Sequence, residues 1–229
     1  MLLSQIIDSV RYGELNNVYT DEKLPQIISF INLGLIQIYS KLPIVEKQVT
    51  IQEYPQISLY KLSRMYARHN HVSPVKHKYI LDTPDNPFMD DVLFITGVCD
   101  EYGFEVPLND DHHKRSIFIS SYDTIQIPNA NENEAIFVIY RAKPKGINPQ
   151  TKPEDLDKID VVLPDYLLEA LTAFIGFKAH QAIGGQEGLA ASQAFYQRFT
   201  ELINQAIADN IAGDGVLPTN IKPRMRGYI

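Results

Sequence analysis

Residues 135–185 read AIFVIYRAKPKGINPQTKPEDLDKIDVVLPDYLLEALTAFIGFKAHQAIGG, and their order decides the fold. The β-branched and aromatic run at its start predicts a strand ending near Ala142. Lys143 to Leu163 then read as a Pro- and Lys-containing linker, and Asp160 or Pro164 marks the start of a helix. Leu168, Leu171, Ile175, Ala179 and Ala182 recur at three- and four-residue intervals and so share one helical face. Gly184-Gly185 stops that helix by admitting a left-handed cap. A second helix follows from about Glu187 to Ile211, with Phe195, Phe199, Leu202, Ala206 and Ile207 on one side. So short a turn makes the two helices antiparallel neighbours, and Ala179, Ala182, Ala190, Ala191 and Ala194 predict a close approach near the bend. The stretch carries packing information and no catalytic motif.

Toward the start of the chain, a short helix is predicted over Leu2 to Tyr12 and ends at Gly13. Thr20 or Asp21 can cap a longer helix that begins near Leu24, with Pro25 tolerated in its first turn. Leu24, Ile27, Ile28, Ile31, Leu35, Ile38, Tyr39 and Leu42 form its apolar stripe. Phe30, Leu33 and Ile36 lie off that stripe, so this helix must bury a second side, against its own domain or a neighbouring subunit. From Pro43 the period shortens to two, through IVEKQVTIQ, ISLYKL, KYILD, VLFITGV, YGFEVPL, SIFISS and DTIQIP, which predicts antiparallel strands. Asp100-Glu101-Tyr102-Gly103 is the strongest hairpin turn among them. The fold class is α+β. Helical segments at both chain ends, 1–43 and 155–212, flank the antiparallel β segment with its linker, 44–154, and an extended C-terminal tail follows over 213–229.

Charge in the β segment is sorted along the sequence. Residues 61–80 hold Lys61, Arg64, Arg68, Lys76 and Lys78 and no carboxylate, whereas residues 82–113 hold nine acids, Asp90 and Asp91 among them, and no Lys or Arg. Two solvated loops of opposite sign on one subunit give this pattern. So does a ring in which Arg64 and Arg68 of one copy face Asp90 and Asp91 of the next, since a heterologous interface joins two different surfaces.

Composition excludes several classes. At 45% hydrophobic and 21% charged residues the chain is too apolar for a disordered one, and its longest apolar runs fall far short of the roughly 18 residues that span a bilayer. The opening MLLSQIIDSVRYGE has no basic region before its apolar residues, which argues against a secretory signal. A formal net charge of −7 argues against free nucleic-acid binding, because displacing counterions from phosphates needs Lys and Arg. Acidic walls suit DNA that must pass without sticking. The lone Cys99, in VLFITGVCD, reads as a buried strand thiol.

A metal-dependent hydrolase is the enzymatic alternative, and it would rest on the His-rich loops. On a strand His69 and His71 would share a face with His77 near by, and Asp110-Asp111-His112-His113 offers carboxylates beside imidazoles. His69-Asn70-His71 spells the letters of the HNH nucleases, but there they are dispersed over a zinc-supported ββα unit. Four adjacent ligands rarely converge on one ion, so a polar turn before SIFIS is the plainer reading of residues 110–113. No G-x-S-x-G elbow and no Gly-rich phosphate loop occurs. A carbohydrate-binding module is weakened by the absence of Trp.

After Ile211 the composition shifts to GDGVLPTNIKPRMRGYI, whose net +2 leaves −9 on the rest of the chain. It reads either as a disordered end or as a peptide that orders on a partner, with Val216, Leu217, Ile221, Tyr228 and Ile229 as anchors and Lys222, Arg224 and Arg226 as guides.

The succession EAIFVIYRAKP, a polar linker, LPDYLLEALTAFIGFKAHQAIGGQEG and a final aromatic-containing helix resembles the head-to-tail connector (adaptor) proteins of tailed bacteriophages. The opening helix followed by DEKLPQIISFINLGLIQIYSKL is similar to the family's N-terminal helical hairpin. The resemblance covers roughly the first 42 and the last 95 residues. It implies a helical bundle built from both chain ends with the β domain inserted, in a non-enzymatic virion protein without cofactor, made in the host cytoplasm and placed at the portal vertex, or neck. There it would form a ring, commonly of twelve subunits, that joins the portal to a tail or nozzle protein and lets DNA pass on ejection. The C-terminal segment in this family often binds the portal, and here that position is filled by GVLPTNIKPRMRGYI, Gly215 to Ile229. The β insertion from Ile44 to Arg141 departs from the smallest connectors.

Overall fold

The computed structural model describes residues 1–17, 19–132 and 134–209 and divides the chain into two compact units. Among the described residues, one unit combines Met1–Ile44 with residues 144–209, and the other spans Val45–Lys143.

The first unit is helical, with α1 at Leu3–Tyr12, α2 at Leu24–Lys41, α3 at Leu168–Ile183 and α4 at Gly185–Ala208. Gly13 ends α1 as the pattern predicts, and a 3-10 turn over Asp21–Lys23 leads into α2, with Pro25 in the first turn. Helix α3 is the hub. Seven of its residues, from Ala170 to Ala179, are buried, because three neighbours enclose it. Its Thr172 hydroxyl lies 3.4 Å from the Ser9 hydroxyl of α1. Gly34 of α2 sits so close to Leu171 and Phe174 that a Cβ there would stand 2.6 Å from the Leu171 side chain. Phe174 meets Phe199 of α4 edge to face, with ring centroids 5.3 Å apart.

Gly184 and Gly185, at φ +73° and +72°, make the turn into α4, a backbone that L side chains rarely adopt. Of the alanines that the sequence singles out only Ala179 is buried; Ala182, Ala190 and Ala194 are exposed and Ala191 is half-buried. The closest approaches between α3 and α4 come at glycines, Gly176 against the Phe195 ring and Gly188 against the His180 carbonyl. Missing side chains let the axes approach further than methyl groups would. Likewise Ile207, expected on the inner face of α4, is exposed, and the buried stripe runs through Ser192, Phe199, Ile203 and Ala206.

Residues 144–163 belong to this unit, although the sequence reading assigns them as far as 154 to the β domain. The side-chain amide of Asn32 imitates a strand neighbour, donating to the Ile147 carbonyl at 2.7 Å and accepting from the Ile147 N–H at 2.9 Å. A 3-10 turn over Pro153–Lys158 then places Leu156 in the core, and the Tyr39 hydroxyl donates to the Val162 carbonyl at 2.5 Å. Leu3 N–H donates to the Ile159 carbonyl, so the linker also lies against the start of α1.

The second unit holds β1 at Glu46–Gln52, β2 at Leu59–Lys61, β3 at Ile80–Leu81, β4 at Val92–Cys99, β5 at Phe118–Ser121, β6 at Thr124–Gln126 and β7 at Ala135–Ala142. Strands order as β3-β1-β7-β4 in one antiparallel sheet and as β2-β6-β5 in another. Alternation in β1 turns Val49 and Ile51 inward, and in β7 it turns Ile136, Val138 and Tyr140 inward, onto one core with Tyr60, Ile117 and Ile125. The Asp100–Gly103 turn forms as expected, with Gly103 at φ +84° and the Gly103 N–H donating to the Asp100 carbonyl. The YGFEVPL run yields only isolated bridges, Cys99 to Glu105 and Leu108 to Ile117, and Pro107 near its end has no N–H to give to a ladder.

Substituting Gly176→Val should destabilise the protein by about 1–3 kcal/mol, since a Cβ there meets the Phe195 ring at 2.7–2.9 Å and a ring cannot yield as a flexible chain end would. Urea unfolding followed by far-UV circular dichroism measures the change.

Candidate assembly surfaces

Helix α2 carries no charged residue from Leu24 to Ser40, on its outer side as well as its inner one. Its outward residues are Gln26, Leu33, Ile36 and Gln37, with Ser29, Phe30 and Ser40 at the margins. Leu33 and Ile36 are 47% and 40% exposed, and Phe30 is half-buried against the core. Beside them lies a notch of about 230 Å³ lined by Lys23, Gln26, Ile27, Phe30, Ala179, Ala182 and Ile183. Exposed Leu and Ile on a charge-free helix face make it a candidate contact surface.

Helix α4 holds a second such surface, which the sequence reading missed. Leu189, Tyr196 and Ile207 are each about half exposed. Spacings of seven and eleven residues bring them to nearly one line along the helix. The signal is present in the sequence as those intervals, but the deeper stripe one position round the helix masks it. The charged groups of α4 lie elsewhere, and Arg198 reaches Glu14 and Glu169, both at 2.6 Å, tying α4 to the end of α1 and to α3. Both partners hold the Arg198 guanidinium well above its usual range.

In the β unit the sequence-sorted charges meet within one chain more than the ring reading assumes. The half-buried Asp91 carboxylate takes the Lys47 ammonium at 2.5 Å and the Tyr140 hydroxyl at 3.0 Å, and its carbonyl accepts the Lys143 N–H. Burial, then Asp91, pushes the Tyr140 hydroxyl far above its usual value. The Asp90 carboxylate accepts the Arg64 backbone N–H. Asp90 and Asp91 are thus engaged at home, Asp91 by a cation and a buried phenol. The Arg64 and Arg68 side chains are exposed and form no ion pair among the described residues.

The histidines do not converge. His69 lies 3.2 Å from the Asp82 carboxylate, the His71 ring is 6.1 Å from that of His69, and His77 packs against Tyr54. His112 and His113 occupy a turn, where the Asp110 carboxylate accepts the His112 N–H and the His113 Nδ1 accepts the Arg115 N–H. Among the described residues no group of three or more His, Cys, Asp or Glu side chains is arranged to hold a metal ion. Burial raises the Asp82 carboxyl, but the N–H groups of His69 and Phe88 and the His69 ring outweigh it and hold the carboxyl below its ordinary range. Cys99 is buried, and burial pushes its thiol up.

Val216, Leu217, Ile221, Lys222, Arg224, Arg226, Tyr228 and Ile229 lie outside the described residues. Among the described residues no helix is long and apolar enough to cross a membrane. No known protein family matches the chain, and no curated protein matches it either.

Asp91→Ala should destabilise the protein by about 1–3 kcal/mol, because the buried Tyr140 hydroxyl loses its acceptor. Arg68→Ala, at an exposed side chain, should change stability by less than about 0.5 kcal/mol. Urea melts of the two variants side by side make the comparison.

Proposed function

We propose that the chain is a structural virion protein, a head-to-tail adaptor that assembles into a ring between the portal and the tail. The observation that carries this reading is the charge-free outer side of α2, with Leu33 and Ile36 exposed beside a notch against α3. A second uncharged stripe on α4, through Leu189, Tyr196 and Ile207, supplies a different surface for the next copy. The two surfaces lie on different helices, and a head-to-tail contact between copies joins two different patches. The sequence resemblance supports the same reading through its strand, linker and helical hairpin.

In this reading the helical unit builds the ring, the β unit meets the tail or nozzle protein, and the segment from Val216 to Ile229 reaches the portal. Twelve copies would match the resembling family, with genomic DNA passing through the lumen without sequence-specific contact. The hydrolase reading receives no support from the positions of the histidines.

Leu33→Lys combined with Ile36→Glu keeps good helix formers at exposed sites and should weaken self-association at least about tenfold with little change in stability. Sedimentation velocity over a range of concentrations, alone and with portal protein present, reads the assembly state. Unchanged association would overturn the reading. Ending the chain after Asp209 should leave ring formation intact and abolish capture by portal protein in a pull-down, and capture that persists would remove the tail from the mechanism.

A further inference from the structure

Segments of opposite charge adjoin the two edge strands of the four-stranded sheet, the basic one β3 and the acidic one β4. Pairing aligns Leu81 of β3 with Thr50 of β1, Thr50 with Phe137 of β7, and Phe137 with Cys99 of β4. Three interstrand spacings separate the ends of that row, roughly 14 Å.

Beyond β3 lies the basic segment. Ala67 bridges to Ile80, the Arg68 N–H donates to the Ile80 carbonyl, and the Tyr66 ring stacks on Tyr79 at 4.7 Å. Of its cations, Lys61 faces Asp123 at 3.7 Å and the Lys78 ammonium donates to the Asn70 carbonyl. Arg64, Arg68 and Lys76 are exposed and form no ion pair among the described residues. Exposed Met65 and Val72 lie among them in the sequence.

Beyond β4 lies the hairpin of residues 100–105. The Asp100 carboxylate accepts the N–H groups of Tyr102 and Phe104 at 3.0 and 2.9 Å, which fixes the turn and leaves those two rings 73% and 56% exposed. Glu101 and Glu105 flank them and form no ion pair among the described residues. Lys114 and Arg115 share a cleft with Asp100 and Glu134, which leaves Glu101 and Glu105 as the acids beside the exposed rings. Rigid aromatic side chains with a charged rim have the make-up of a contact patch.

We propose that the Tyr102–Phe104 hairpin of one copy docks on the Arg64–Lys76 segment of a second copy, with Glu101 and Glu105 facing Arg64, Arg68 and Lys76. The occupant is a second copy because each copy carries both complementary halves, the exposed cations next to one edge strand and the acidic aromatic hairpin next to the other, and so offers one half to either neighbour. The contact rests on the ring reading above and moves its acidic half from Asp90 and Asp91, which have partners at home, to the hairpin.

Charge reversal tests it on the full-length chain. Glu101→Lys with Glu105→Lys should weaken self-association about tenfold, and Arg64→Glu with Arg68→Glu should do the same. All four substitutions in one chain should restore assembly, as should an equimolar mixture of the two double variants. Circular dichroism confirms that each variant is folded, and raised salt should weaken the native assembly more than the Leu33-Ile36 surface alone would allow. If the native chain assembles and neither reversal weakens it, or if both weaken it and the combined variant does not recover, the docking is wrong while the ring stands. If the native chain fails to assemble even with portal protein present, the ring reading falls and the docking falls with it.

Discussion

Strand β7 is hydrogen-bonded along both edges, to β1 over Glu46–Gln52 and to β4 over Val92–Cys99, and the β unit depends on that double pairing. A slip of one residue would turn Ile136, Val138 and Tyr140 out of the core together, so the buried face fixes the register. Asp91 secures it at one end by holding Lys47 of β1 and Tyr140 of β7 through the same carboxylate. The register in turn sets which groups stand level across the sheet, and so it places the hairpin after β4 opposite the basic segment beyond β3.

The helical unit solves a different problem. Its hub, α3, has neighbours on three sides, whereas α2 and α4 each keep a side without one. On most surface helices that free side is charged. Here α2 has no charge at all before Lys41, and α4 gathers Leu189, Tyr196 and Ile207 into a line. Exposed apolar side chains scattered singly need no explanation, but aligned and uncharged they do. The β unit, by contrast, presents exposed charge, so the two units offer contacts with opposite responses to salt.

The sequence displayed the framework well because periodicity records burial. The four helices, the Gly184-Gly185 turn, the strands at β1, β4 and β7 and the stripe of α2 follow from spacing alone. Asn32 was illegible, since nothing in a lone Asn on a helix announces that it will hold residue 147 like a strand and draw the linker into the helical unit. The tight approach of α3 and α4 was legible in kind, through small residues, but glycine outranks alanine where space is shortest, as Gly176 and Gly188 show. Charge sorting was visible, yet which acids find partners at home is a property of the fold. Asp91 and the hairpin acids look alike in the sequence, and only the sheet separates them.

The helical unit is assembled from chain segments that flank an insert, and the two ends of that insert meet where the Ala142 N–H donates to the Val45 carbonyl at 3.0 Å. Helix α2 ends at Lys41, but its partner α3 begins only at Leu168. During translation at about 5–20 residues per second, α2 therefore waits on the order of 6–25 s for the helix it packs against. The β unit is complete before then, because every strand that it needs lies within its own segment. Its folding brings residues 45 and 142 together and hands the growing chain a closed loop, so the late helices emerge beside the early ones.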